Sequence, residues 1–112
     1  WPNVEEEKHI GKLEFDQRVV LVDCVTLWLT NFFVDTKNDV DQSLQLAKSE
    51  FNALTTQNSD FIFISNEIGM GTHAHTEIGR KFTDLQGWMN QFIAEKSDQA
   101  WLMVSGIPMK LK

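Results

Sequence analysis

Apolar residues gather along this chain into short unbroken runs that alternate with longer periodic stretches. Val19, Val20, Leu21 and Val22 stand in a row, three of them β-branched, and Asp23 and Cys24 close the run. Such a run predicts a strand over residues 18–23 that is buried on both faces, as parallel strands in α/β sheets are. Residues 60–65 (DFIFIS) repeat the design and lead into Asn66-Glu67-Ile68-Gly69-Met70-Gly71, and residues 100–105 (AWLMVS) predict a third strand that stops at Gly106. Residues 25–34 are apolar almost all round and predict a short helix buried in the core or in an interface. Asp39 with Gln42 three residues on forms an N-cap and capping-box pattern, after which Val40, Leu44, Ala47, Phe51 and Leu54 recur at helical spacing until Asn58-Ser59. Ile78, Phe82, Leu85, Met89 and Phe92 or Ile93 carry the same period to about Lys96. Residues 1–17 are polar and irregular and predict a short helix or an entry loop. The order of strand and helix implies three mainly parallel strands joined by right-handed crossovers and flanked by helices, an α/β fold.

Composition narrows the classes. A chain of 112 residues is expected to be a single domain with one core. Its 42% hydrophobic and 23% charged residues are those of an ordinary globular protein. A net charge of -6 without any basic cluster argues against a nucleic-acid or anionic-membrane surface. No apolar run approaches the roughly 20 residues that span a bilayer and no signal-peptide pattern opens the chain, so a cytoplasmic setting is the expectation. Cys24 has no second cysteine to pair with and, inside an apolar run, reads as a small packed hydrophobe. Trp1, Trp28, Trp88 and Trp101 are scattered through the elements and read as core or interface packing.

The candidate chemistry lies at strand ends. Ligands of open α/β sheets sit beyond the carboxyl ends of the strands, where Asp23 and Glu67 both fall, so two acidic ends point to one site. Asp23 has the place of a carboxylate that reaches a phosphate-bound Mg²⁺, although a helix cap or turn former would look the same. The glycines at 69 and 71 would let a ligand approach the backbone, whereas the plain reading is a strand-to-helix turn. A phosphate cradle of the form G-x-x-x-x-G-K-S/T occurs nowhere in these residues. His73 and His75 form an H-x-H pair near Glu67 and Glu77, which raises a metal-dependent hydrolase; a solvated loop is the simpler account. Ser65 and Ser105 carry no G-x-S-x-G elbow.

Four blocks together, residues 20–31 (VLVDCVTLWLTN), 65–71 (SNEIGMG), 79–91 (GRKFTDLQGWMNQ) and 101–107 (WLMVSGI), resemble the bifunctional adenosylcobinamide kinase / adenosylcobinamide-phosphate guanylyltransferase family of cobalamin biosynthesis. They stand in the family's order and at its separations over nearly the whole chain. The resemblance implies a P-loop NTPase fold of RecA-like character, ATP or GTP and Mg²⁺ as cofactors, and a homotrimer. It also implies two reactions: phosphorylation of the aminopropanol hydroxyl of adenosylcobinamide, then transfer of GMP onto that phosphate through a guanylylated histidine. In the family the P-loop and that histidine precede a W-x-x-x-E segment, which Trp1-Pro2-Asn3-Val4-Glu5 resembles. This chain begins at the tryptophan. The expectation is therefore a C-terminal portion, residues 1–112 forming one domain of a partial fold, with no catalytic residue of its own and no turnover alone. His9, His73 and His75 do not stand where the guanylylated histidine would, and residues 72–76 (THAHT) depart from the family's usual I-V-P-x-N stretch.

Carried over by position, Asp23 and Glu5 correspond to residues that contact the guanine nucleotide, and Asn66 and Glu67 match the N-E-I/V-G motif at the active-site rim. A carboxylate can accept from both N1–H and the exocyclic amine of guanine. It can equally hold Mg²⁺, and the sequence leaves both open for Asp23. Arg80 reads either as a phosphate contact or as the i,i+4 partner of Asp84, the latter being the simpler expectation. Two other classes compete: the metal-dependent hydrolase built on His73, His75 and Glu67, and a non-catalytic oligomerisation domain. A homo-oligomer is also the expectation from surplus apolar surface, with Leu27, Trp28, Leu29, Phe32 and Phe33 exceeding what one face of a short helix needs.

Overall fold

The computed structural model describes residues 7–14, 19–68 and 76–112. Its elements are a 3₁₀ turn at Ile10–Lys12, strand β1 (Val19–Asp23), helices α1 (Val25–Asp35) and α2 (Val40–Thr55), strand β2 (Asp60–Ile64), helix α3 (Glu77–Lys96), and strands β3 (Trp101–Val104) and β4 (Ile107–Lys110). The result is a mixed α/β fold. β1 and β2 pair in parallel, from Val19 opposite Asp60 to Asp23 opposite Ile64. Parallel neighbours need a long crossover rather than a hairpin, and α1 and α2 supply it.

This register decides which residues meet the core. Side chains alternate along a strand, so Val20, Val22, Phe61 and Phe63 share one face and pack on the helices, while Val19, Leu21, Ile62 and Ile64 share the other. The latter four are exposed, Leu21 to 53% and Ile62 to 52%. The expectation of strands buried on both faces is thus corrected: among the described residues, helices cover one face only.

The third strand is also corrected. β3 does not join the parallel pair; it turns back on itself and pairs antiparallel with β4, Trp101 opposite Lys110 and Val104 opposite Ile107. Ser105 and Gly106 have φ of 51° and 76°, the left-handed pair that lets a two-residue turn match the twist of a hairpin. An apolar run of four residues has no feature of its own that separates a central strand from a hairpin arm; the Ser-Gly turn before Ile-Pro-Met-Lys was the distinguishing signal. The hairpin is fastened to the end of α3 by Lys112, whose Nζ donates to the carbonyls of Ala94 (3.1 Å) and Glu95 (3.0 Å).

The helices match the sequence pattern closely. Asp39 caps α2, its Oδ1 accepting from the Gln42 amide at 2.9 Å, and Thr76 caps α3 by accepting from Gly79 at 2.9 Å. Leu85, Met89 and Ile93 of α3 are buried against Phe51 and Leu54 of α2 and Leu29, Phe32 and Phe33 of α1 in one core. Edge-on and tilted aromatic pairs join its parts: Trp28–Phe32 at 5.4 Å, Phe51–Phe63 at 4.8 Å and Phe51–Phe92 at 5.5 Å. The surplus assigned to residues 26–34 is mostly this core, since Trp28, Leu29, Phe32 and Phe33 are buried and Leu27 and Val34 are the exposed apolar residues of α1. Trp88 and Trp101 are about half exposed, so Trp28 is the core tryptophan among the described residues.

The segment before β1 is tied down rather than loose at residues 8–13. Glu50 of α2 accepts from the Gly11 amide at 2.6 Å and meets His9 Nδ1 at 3.1 Å, and the Trp28 indole donates to the Lys8 carbonyl at 2.7 Å. Gly11 permits that approach: a Cβ there would lie 2.6 Å from the Ala53 Cβ. Gly11→Ala is therefore expected to destabilise the fold by about 1–3 kcal/mol through overpacking. Asp39→Ala, which removes the cap, is expected to cost about 1 kcal/mol. Urea unfolding of each variant checks both values.

Candidate functional site

Because β1 and β2 run in parallel, their carboxyl ends lie side by side. Asp23 is opposite Ile64, and the turn that leaves β2 carries Ser65, Asn66 and Glu67 at the same end. Asp23 and Glu67 are both exposed there, and no described residue hydrogen-bonds the Asp23 carboxylate. Two of the residues singled out from sequence, Asn66 and Glu67, are drawn together by a shared partner. Glu5, His73 and His75 lie outside the described residues, as do Gly69 and Gly71.

The centre of this end of the molecule is a residue to which the sequence reading assigned no role. Gln86 of α3 is 1% exposed, a neutral amide in an otherwise apolar stripe. Its Oε1 accepts from the Thr26 hydroxyl at 2.5 Å; its Nε2 donates to Ser65 Oγ at 3.0 Å and to Asn90 Oδ1 at 2.9 Å. Thr26 Oγ1 in turn accepts from Asn66 Nδ2 at 3.0 Å, and Ser65 Oγ donates to Asn90 Oδ1 at 2.5 Å. Asn90 Nδ2 donates to the Asn66 carbonyl at 2.9 Å and to Glu67 Oε1 at 3.1 Å. Thr26 lies on the first turn of α1, three residues past Asp23, so a single buried amide links the helix that leaves β1 to the turn that leaves β2. Among the described residues every buried side-chain nitrogen and oxygen has a partner. A satisfied network of this kind holds one geometry, because each alternative leaves a polar group unpaired in a poor solvent for it.

The signal for Gln86 was in the sequence. Phe82, Met89 and Ile93 define the apolar stripe of α3, and Gln86, four after Phe82 and three before Met89, falls inside it. A polar residue on the buried face of an amphipathic helix is the observation that needs explaining.

The other expectations separate cleanly. Arg80 and Asp84 do not form an ion pair; the i,i+4 pair on α3 is Glu77 with Lys81 at 3.7 Å. Cys24 is half-buried at the start of α1 and its side chain caps nothing. Among the described residues no group of three His, Cys, Asp or Glu side chains is close enough to hold a metal, and no helix is long and apolar enough to cross a membrane. What the site offers is a pair of exposed carboxylates, an amide side chain and two hydroxyls at the end of a parallel pair. Oxygen donors of this sort suit a hard cation or the N–H groups of a base.

Known proteins place this arrangement in context. The model of the cobinamide kinase / cobinamide phosphate guanyltransferase family matches residues 1–111. The bifunctional adenosylcobalamin biosynthesis protein CobU of Escherichia coli is 32% identical over an alignment covering 100% of this chain and 70% of that protein. The protein CobP of the same description from Pseudomonas aeruginosa is 36% identical over 85% of this chain and 54% of its own length. CobU of Salmonella typhimurium is 30% identical over 83% of this chain and 58% of its own length. The chain thus spans from about half to somewhat over two thirds of these relatives.

Replacing Gln86 by leucine keeps the volume and removes all three hydrogen bonds, leaving Thr26, Ser65 and Asn90 short of partners. Gln86→Leu is expected to lose about 1–3 kcal/mol of stability, read from chemical denaturation, despite the gain in hydrophobicity.

Proposed function

Because the chain belongs to the cobinamide kinase / cobinamide phosphate guanyltransferase family, we propose that it is the C-terminal portion of a bifunctional enzyme of adenosylcobalamin biosynthesis. That enzyme phosphorylates adenosylcobinamide and then transfers GMP from GTP onto the phosphate. The observation that carries this reading is the parallel pairing of β1 with β2, which sets Asp23 beside the Asn66–Glu67 turn. It is the position where open α/β sheets bind nucleotides. The fold in this reading is part of a RecA-like P-loop NTPase, residues 1–112 one domain of it, working in the cytoplasm as a homo-oligomer on the trimeric pattern of the family. Exposed apolar residues on the outer face of β1 and β2 support the oligomer.

Asp23 and Glu5 contact the guanine nucleotide, and Asn66 and Glu67 line the rim. The carboxylates of Asp23 and Glu67 are hard oxygen donors, fit to hold Mg²⁺, which would offset phosphate charge when bound. A metal-dependent hydrolase on His73, His75 and Glu67 is not favoured, because the family's chemistry is group transfer.

Two measurements test the reading. The 112 residues hold no G-x-x-x-x-G-K-S/T cradle, so incubation with GTP, Mg²⁺ and adenosylcobinamide is expected to give neither phosphorylated nor GDP-linked product. Clear turnover by this chain overturns its assignment as a portion. In the full-length polypeptide, Asp23→Asn separates guanine from Mg²⁺ as the ligand of Asp23. If Asp23 reads guanine, GTP binding weakens roughly tenfold while xanthosine triphosphate, with a carbonyl in place of the exocyclic amine, binds relatively better. If it serves Mg²⁺, both nucleotides weaken alike.

A further inference from the structure

We propose that Asn90, oriented by Gln86, is a positioning residue that fixes the Glu67 carboxylate and the Asn66 turn for nucleotide binding. The proposal rests on the reading of Glu67 as a rim residue of that site. Asn66 and Glu67 are exposed, and an exposed polar turn ordinarily samples many conformations that a ligand must freeze out. Here the freezing is done in advance. Glu67 Oε1 accepts from Asn90 Nδ2 at 3.1 Å, the Asn66 carbonyl accepts from the same nitrogen at 2.9 Å, and the Asn66 side-chain amide donates to Thr26 Oγ1 at 3.0 Å. Both tethers run back to Gln86, through Asn90 and through Thr26.

The polarity of the Asn90 amide is fixed by the two partners that can only accept, the Asn66 carbonyl and the Glu67 carboxylate. Its amino group must face those two acceptors, which turns its oxygen to the donors Ser65 Oγ and Gln86 Nε2. With the amide turned over, the Asn66 carbonyl and the Glu67 carboxylate would both meet an oxygen. The bond to Glu67 is charge-assisted and, at 3.1 Å, the longest of the set. Only Oε1 is taken: Oε2 of Glu67 has no hydrogen-bond partner among the described residues and is free for a ligand. Asn90 and Gln86 therefore act through Glu67 and the Asn66 turn, which distinguishes them from the rim residues themselves.

The test uses the full-length polypeptide with GTP and adenosylcobinamide phosphate, comparing Glu67→Ala, Asn90→Ala, Asn90→Asp and the Glu67→Ala/Asn90→Ala double variant. GTP dissociation constants, GMP-transfer kinetics and thermal melting are measured on each. Asn90→Asp keeps the side-chain volume and the oxygen that Ser65 and Gln86 bond, but loses the donors to Asn66 and Glu67. A role confined to closing the buried network would survive it. The expected result is a roughly tenfold loss in GTP affinity or transfer rate for Asn90→Ala, and at least as great a loss for Asn90→Asp. In the Glu67→Ala background, Asn90→Ala is expected to add a smaller further loss than in the parent, because only its hold on the Asn66 carbonyl is left to lose. Equal proportional losses in both backgrounds, or unchanged kinetics in Asn90→Asp, overturn the proposal and leave the nucleotide site standing. A Glu67→Ala variant as active as the parent removes the rim reading of Glu67, and the positioning role with it. Where Asn90→Ala melts too early to assay, Asn90→Asp alone decides.

Discussion

The parallel pairing of β1 with β2 is the constraint on which the rest of the molecule depends. Two adjacent parallel strands cannot be joined by a tight turn, so the chain must leave the end of β1, cross one face and re-enter at the start of β2. α1 and α2 are that crossing, and their burial together with α3 against Phe61, Phe63 and Val22 makes the core. The same constraint brings Asp23 and the Asn66–Glu67 turn to one end, though they are far apart in sequence. Packing and candidate chemistry are two consequences of one hydrogen-bond register.

Gln86 shows how the second consequence is stabilised. Its burial would be costly without partners, and a well-packed leucine there would serve the core better taken alone. The buried amide instead reaches Thr26 after β1, and Ser65 and Asn90 beside the turn after β2. The local cost is offset by hydrogen bonds that specify how α3 sits against both strand ends. A position that sacrifices apolar packing for fixed polar geometry, at the end of a parallel pair, is where function and folding pull in different directions.

The sequence made the helices legible because their signals are local. Asp39 and Gln42 announce the start of α2, and the stripes on α2 and α3 name Leu54, Leu85 and Met89 as core by spacing alone. β1 and β2 were legible as strands for the same reason, but not their one-sided burial, because Val19 and Leu21 are as apolar as Val20 and Val22 and the pattern has no polar alternation to mark an outer face. β3 was legible as a strand and not as a hairpin arm, since pairing is a long-range choice that the local run does not encode. At the candidate site, the acidic residues are proposed from their place at strand ends. The residues that organise the Asn66–Glu67 turn, Thr26, Gln86 and Asn90, are neutral; they fall within the blocks that carry the family resemblance but have no chemistry of their own to single them out, and Gln86 stands out as an interruption in a stripe.

One-sided burial also bears on Asp23. It shares strand parity with Val19 and Leu21, so it lies on the outer face of the sheet, opposite the helices. The apolar outer face and the carboxylate are therefore contiguous, and the electrostatics at Asp23 depend on what lies over Leu21 and Ile62. A carboxylate beside open water interacts weakly with anything at a few ångströms, whereas under an apolar cover the effective dielectric falls and each contact strengthens severalfold. The Asn66–Glu67 turn is anchored from the opposite, helical side through Gln86. One carboxylate is thus fixed by the core, and the other stands on the surface whose covering sets its strength, so the two halves of the site answer to different parts of the fold.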